Sequence, residues 1–354
     1  MDRIKNKKLK IFSSIIVSTL LLLSFFIKRK TLFSIYEQNI FLPYQQFRAS
    51  LLSNIPFSIG DIIYILFFIA LLFFIGYSIY FIKKCLKNKS GWANFLFPSI
   101  ISILSVYLLY FYSWGANYNR QAIWSPTETN SWNQKELVSL NEFLVDKMNE
   151  INEPVTQYNL KTINKELRDV YRNEFGKNVP YLEVKPSLFS NLIFNFGIQG
   201  YYNPISGEAQ FAKPLPSFMW GFVIAHEMAH QTGIAAEGEA NMMAYVICMK
   251  SKISHLKYSA YFNLFLYANK ELSKKDSVLA IEKREMLTSN NLNNLEYLKN
   301  MRLKYKSIFR GNVLDIYDWL LKIQGQEDGL DSYNEISKLI YYWEKEGNPK
   351  INLY

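Results

Sequence analysis

Cross-linking and metal-binding side chains are scarce in this chain: 354 residues hold only two cysteines and three histidines. Cys85 lies in the first third and Cys248 stands alone in the large remaining part, so no disulfide within that part can form. Internal repeats and low-complexity tracts are absent, which excludes repeat architectures. An excess of basic charge outside the first third is also lacking. Residues 1–114 hold 13 of the 40 Lys+Arg and 3 of the 30 Asp+Glu, leaving 27 of each beyond. The net charge of +10 therefore belongs to the first third. The rest has no electrostatic footprint for nucleic acid, which is not an expected partner.

Apolar runs are what the first third does contain. Residues 11–27, 62–82 and 95–114 are each near the length needed to cross a bilayer as a helix, and lysines flank them. This predicts a membrane domain over 1–114 with three transmembrane helices and the lipid bilayer as a partner. Arg3, Lys5, Lys7, Lys8 and Lys10 before the first run, with Lys83, Lys84, Lys87 and Lys89 before the third, set a cytoplasmic N-terminus. Lys28, Arg29 and Lys30 oppose that orientation but are outnumbered. Three spans then place the remainder outside the cytoplasm. A cleaved signal peptide fits the first run poorly, because its apolar core is long and no small-x-small site follows. Residues 31–60 read as an interfacial segment or a simple loop. Residues 115–134 read as a juxtamembrane linker, with Trp114, Trp124 and Trp132 suited to the headgroup zone.

His226, Glu227 and His230, in the run Phe222-Val-Ile-Ala-His-Glu-Met-Ala-His-Gln-Thr-Gly233, carry the strongest chemical signal. Two histidines four apart share one helix face and can reach a single Zn²⁺ ion, while Glu227 lies beside the metal, placed to take a proton from water. Ser217 is the predicted N-cap and Gly233 the predicted stop of that helix. Glu237 and Glu239 follow at the start of the next helix. Residues two apart on a helix diverge by about 200°, so one of them faces the metal. Glu237 is favoured because Glu237-Gly-Glu-Ala-Asn241 resembles the glutamate-ligand element of several glutamate-zincin families; Glu239 is the alternative. Asn241, one turn on, is the expected hydrogen-bonding partner behind the ligands.

These motifs, with Gly200-Tyr-Tyr-Asn-Pro-Ile-Ser-Gly-Glu-Ala-Gln210, Trp114-Gly-Ala-Asn-Tyr-Asn-Arg120 and Gly325-Gln-Glu-Asp-Gly-Leu-Asp-Ser-Tyr333, resemble an uncharacterised family of bacterial membrane zincin-like proteins, domain of unknown function 3810. Gly238 departs from the charged or polar residue expected there. The resemblance implies a bacterial inner-membrane, multi-pass protein that is zinc-peptidase-like, and it carries no substrate.

The predicted fold is α+β and mostly helical: three transmembrane helices, then a zincin-like metallopeptidase domain over 135–354 with a small sheet. Leucines at three- and four-residue spacing predict helices over 137–151 and 160–175, and Ser125 and Asn133 both look like helix starts. Residues 181–184 read as a strand, and 194–202 with 208–212 as a hairpin whose edge binds extended substrate. Beyond Asn241 the chain reads as helical, its tyrosines as core. The expected activity is zinc-dependent hydrolysis of envelope or membrane-proximal polypeptides, with Glu227 as the base and Tyr201, Tyr202 or His255 as candidates to stabilise the oxyanion. The alternative is a catalytically silent zincin-fold binding or assembly factor of the envelope. An intramembrane peptidase fits poorly, since the motif helix is rich in polar side chains.

Overall fold

The structure, a computed structural model, describes residues 2–27, 30–88, 92–127, 132–151, 158–323 and 332–353. The chain opens with α1 (Asp2–Ile27), α2 (Lys30–Tyr36), a π-helical turn (Glu37–Phe41) and α3 (Leu42–Leu52). Next come α4 (Ile59–Asn88) and α5 (Trp92–Ser113). α4 is apolar around its whole circumference, and side chains such as Leu66, Phe68 and Phe73 point outward with no protein over them. A helix of that kind is stable only where the surroundings are themselves apolar. Two helices are long and apolar enough to cross a membrane, Ile59–Lys87 and Phe95–Ser113. The first predicted span, Ile11–Ile27, qualifies only together with Leu32–Leu52, to which it is bent by 120°. Residues 31–60 are therefore mainly helical and not a simple loop.

A 3₁₀ turn (Gly115–Asn119) leads to α6 (Gln134–Glu150) and α7 (Leu160–Phe175). Asn133 caps α6 through the backbone N–H groups of Lys135 and Glu136, and the Glu136 carboxylate accepts from Asn133 N–H, a reciprocal box that fixes the helix start. The predicted start at Ser125 does not form over 125–127; residues 128–131 lie outside the described ones, as do 324–331, which hold most of the Gly325–Tyr333 motif. The small sheet has β1 (Val184–Pro186), β2 (Gly200–Tyr202) and β3 (Ala209–Phe211), with α8 (Ser190–Asn195) between β1 and β2. β3 is central, parallel to β1 and antiparallel to β2. β1 starts at Val184, the last residue of the predicted 181–184, and the hairpin begins at Gly200 and not at Phe194. Ser187 Oγ accepts from Phe189 N–H and Ser190 Oγ donates to Ser187 O, closing a turn that starts α8, whose last residues take up 194–195 of the predicted hairpin.

Then follow α9 (Ser217–Gln231), α10 (Glu237–Lys250), α11 (Ser254–Lys275), α12 (Ser277–Glu285), α13 (Ser289–Lys304), α14 (Arg310–Ile323) and α15 (Ser332–Lys345). α9 is the central element, wrapped by α7, α10, α11 and the sheet. α11 approaches so closely at Gly221 that a Cβ there would meet Leu256 at 2.7 Å. Ser259 Oγ accepts from Phe222 N–H at 3.0 Å across the same contact. Ser217 is the first helical residue and not the cap, a place taken by the extended Pro216. Gly233, at φ +93°, stops the helix as predicted.

The tryptophans are not a headgroup belt. Trp114 is buried against Tyr202, with ring centroids 4.4 Å apart. The Trp132 indole donates to Glu271 at 3.2 Å and packs on Tyr341. Residues 115–127 are likewise pinned: the Arg120 guanidinium pairs with Glu37 at 2.7 Å and donates to the carbonyls of Thr232 and Leu353. Buried indole and guanidinium groups need partners, and the domain supplies them.

Candidate metal centre

Helix periodicity puts His226 and His230 one turn apart on α9, and Gly233 turns the chain so that Glu237 enters α10 facing them. Their Nε2 atoms lie 3.1 Å apart, and Glu237 Oε2 is 3.2 Å from His226 Nε2 and 3.8 Å from His230 Nε2. One ligand atom from each of the three residues lies within 4.8 Å of the others, a cluster that could hold a metal ion. His230 Nδ1 donates to Ile234 O at 2.7 Å, which leaves its Nε2 lone pair for the cluster. Glu237 sits in the first turn of α10, where the helix dipole favours a negative charge.

Electrostatics reinforce the arrangement. Burial opposes charge on His226, but the hydrogen bond and charge of Glu237, with help from Glu227 and Asn241, outweigh it and raise its pKa. Burial pulls His230 down to about 4 against the opposing charge of Glu237, so it is a neutral ligand-ready ring. Glu227 is pushed up to about 8 by burial, partly offset by His226. Its Oε2 is buried without a hydrogen-bond partner, as is His226 Nδ1. A buried carboxylate oxygen left unpaired beside a cluster of this N₂O type is costly unless a cation or a water molecule meets it. The residues fit a divalent metal.

Glu239 is elsewhere. It is half-buried and accepts from Ile123 N–H at 3.3 Å, tying α10 to the segment after the 3₁₀ turn. Asn241 is buried next to His226, in the place expected of a supporting residue. The three oxyanion candidates are committed to other partners. The Tyr201 hydroxyl bonds Asp61 and Ser187, on the face of β2 opposite Gly200. The Tyr202 hydroxyl donates to Gln45 Oε1 at 2.8 Å and meets Arg48 at 3.1 Å. His255 Nε2 lies 3.2 Å from Ser217 O at the far end of α9, nine residues or about 13 Å along the axis from His226.

A cavity of 840 Å³ opens over the cluster. β2 forms one side of it. Tyr64 of α4 and Tyr110 of α5 reach it from the apolar helices, and Tyr267, Lys270, Arg302 and Arg310 come from α11, α13 and α14. Tyr267 is the residue that sequence reasoning passed over. Burial and the charge of Glu237 push its pKa up to about 12, so it holds its proton within reach of the cluster's field. Nothing in the sequence separates it from Tyr258 and Tyr261, which are core residues of the same helix.

The family model for proteins of unknown function DUF3810 matches residues 36–341. The chain belongs to that family. No curated protein and no solved structure matches it. The matched range begins at α2 and so includes the helices that carry Gln45, Arg48 and Asp61, which in this DUF3810 member bond directly to the hairpin.

Proposed function

We propose that this DUF3810 protein is a membrane-anchored zinc metallopeptidase that hydrolyses envelope or membrane-proximal polypeptides. The observation that carries the reading is the convergence of His226 Nε2, His230 Nε2 and Glu237 Oε2 beside the buried, unpaired Oε2 of Glu227. His226, His230 and Glu237 would hold the ion. A zinc ion there supplies the Lewis acidity that makes water a nucleophile near neutral pH. Glu227, whose raised pKa a cation beside it would lower, would take a proton from the attacking water and return it to the leaving amine. Tyr267, protonated by its environment, donates its O–H to the carbonyl oxygen of the scissile bond as negative charge develops. The edge strand β2, with Gly200 against Glu227, takes the substrate backbone as an added strand.

Three spans with an inside N-terminus put this centre outside the cytoplasm. α1 packs along α5, and the Tyr112 hydroxyl donates to Leu20 O at 2.8 Å, which supports treating α1 as a membrane helix with the other two. α9 has 15 residues, too few to span a bilayer, which speaks against an intramembrane peptidase. Ile308, Phe309, Ile316, Trp319 and Ile323, on α14 and just before it, expose apolar side chains beside the cavity that Tyr64 and Tyr110 also line, consistent with a bilayer surface close to the site.

The test is zinc content and casein cleavage by the purified full chain. Glu227→Gln is expected to keep one zinc per chain and lose hydrolysis; His226→Ala is expected to lose both. Loss of zinc from Glu227→Gln, or turnover that survives it, overturns the assigned role. A wild-type protein that binds zinc and cleaves nothing would favour the binding or assembly factor.

A further inference from the structure

Two arginines line the cavity, and among the described residues neither has an acidic partner. Arg302 lies on α13 and Arg310 opens α14, and Lys270 of α11 also lines the cavity. Among the described residues neither guanidinium makes an ion pair or a hydrogen bond. Burial disfavours the charge of Arg302, Tyr267 opposes that effect, and Arg310 adds repulsion. A partly desolvated, unpaired cation facing a like charge is unfavourable by itself. It becomes favourable once an anion enters, because a planar guanidinium pairs with a carboxylate through two parallel hydrogen bonds.

The placement of Arg310 gives the distance to the chemistry. Its guanidinium occupies the space where a Gly197 side chain would stand: a Cβ there would lie 2.6 Å from Arg310 Cζ, and φ is +84°. Glycine at 197 is what lets this cation into the cavity. Gly197 precedes Gly200, which touches Glu227, by three residues, so chain length limits the separation to about 10 Å. Tyr267 connects the other arginine to the cluster, since its hydroxyl feels the charges of both Glu237 and Arg302.

We propose that Arg302 and Arg310, with Lys270 at the rim, form a subsite for a carboxylate carried by the polypeptide substrate within about three residues of the bond that is cut. The proposal rests on the peptidase reading and names its substrate class: acidic or C-terminal peptide segments. A substrate strand added to β2 at Gly200 brings its neighbouring residues past Gly197, where Arg310 meets them.

The experiment measures binding, so that it is separate from turnover. The zinc-loaded Glu227→Gln full chain, in detergent micelles, is offered one mixture of decapeptides in three forms: free C-terminal acid, C-terminal amide, and amide with every Asp and Glu replaced by Asn and Gln. Retained peptide is quantified by mass spectrometry. The third form is expected to be retained at least about tenfold less than the first. If the second form matches the first, the carboxylate is a side chain; if it matches the third, it is the C-terminus. Arg302→Gln with Arg310→Gln should erase the discrimination with zinc content unchanged, and should not lower the melting temperature, because among the described residues no partner is stranded. The paired lysine replacements should keep part of it. Equal retention of all three forms, no retention of any, or discrimination that survives the double glutamine variant overturns the proposal. The comparison of the three forms decides even if the double variant does not fold. Discrimination in a protein whose wild type cleaves nothing would remove the peptidase reading and leave the subsite standing.

Discussion

Gly200 stands directly against Glu227: a Cβ added to Gly200 would overlap Glu227 Oε1 and lie 2.8 Å from Gln210 O. The edge strand and the buried carboxylate are thus fitted to each other with no room for a methyl group. Gly200→Ala should displace the carboxylate or push β2 from β3, because the second obstacle is backbone and cannot swing aside. We expect casein hydrolysis to fall by at least about tenfold, equivalent to about 1.4 kcal/mol in the barrier, with stoichiometric zinc retained. Unchanged activity would mean that the strand and the carboxylate do not work together.

Glu237 and Glu239 differ in what they face, the histidine pair for Glu237 and the Ile123 N–H for Glu239. Glu237→Ala removes the carboxylate that lies against His226 and His230 and should release zinc to a mild chelator. Glu239→Ala removes an acceptor for Ile123 N–H and should keep zinc, at a stability cost of about 1 kcal/mol. Metal analysis after dialysis reads both, and the reverse pattern would move the ligand to Glu239.

Tyr267→Phe should lower kcat by about 10- to 100-fold with KM nearly unchanged, the mark of a donor used in the transition state. Tyr201→Phe loses bonds to Asp61 and Ser187 and should act on stability instead. A KM effect without a kcat effect at Tyr267 would make it a binding residue.

The proposed three-span topology predicts that an enzyme reporter active only after export works when fused after Tyr354 and is silent when fused after Lys89. An active cytoplasmic reporter at Tyr354 would remove the outer-face location and with it the envelope substrates. With the same protein in vesicles, brominated lipids should quench Trp319, which is 59 % exposed. Resistance to quenching would place α14 away from the bilayer.

The local features were legible because they depend on short spacings. His226 and His230 fall four apart on a helix that Gly233 ends, and Asn133 with Glu136 forms the cap that their separation predicts. The apolar runs of α4 and α5 announce themselves by length alone. What the sequence could not show is which distant groups meet. Gln45 and Arg48 hold the turn of the hairpin through Gly207 O and Pro204 O, and a buried ion pair at 2.8 Å joins Lys185 to Glu208, whose other oxygen accepts from Gly60 N–H. These partners are up to 162 residues apart, and hydrogen bonding between them leaves no periodicity in the chain. The same holds for the hydroxyls of Tyr201 and Tyr202, taken up by Asp61, Gln45 and Arg48, and for Tyr267, Arg302 and Arg310 at the cavity. Spacing along a helix selected His226, His230 and the region of Glu237. Only the packing of α10, α11, α13 and α14 around α9 decided which carboxylate turns inward and which cations line the same cavity, because those choices follow from space and desolvation in three dimensions.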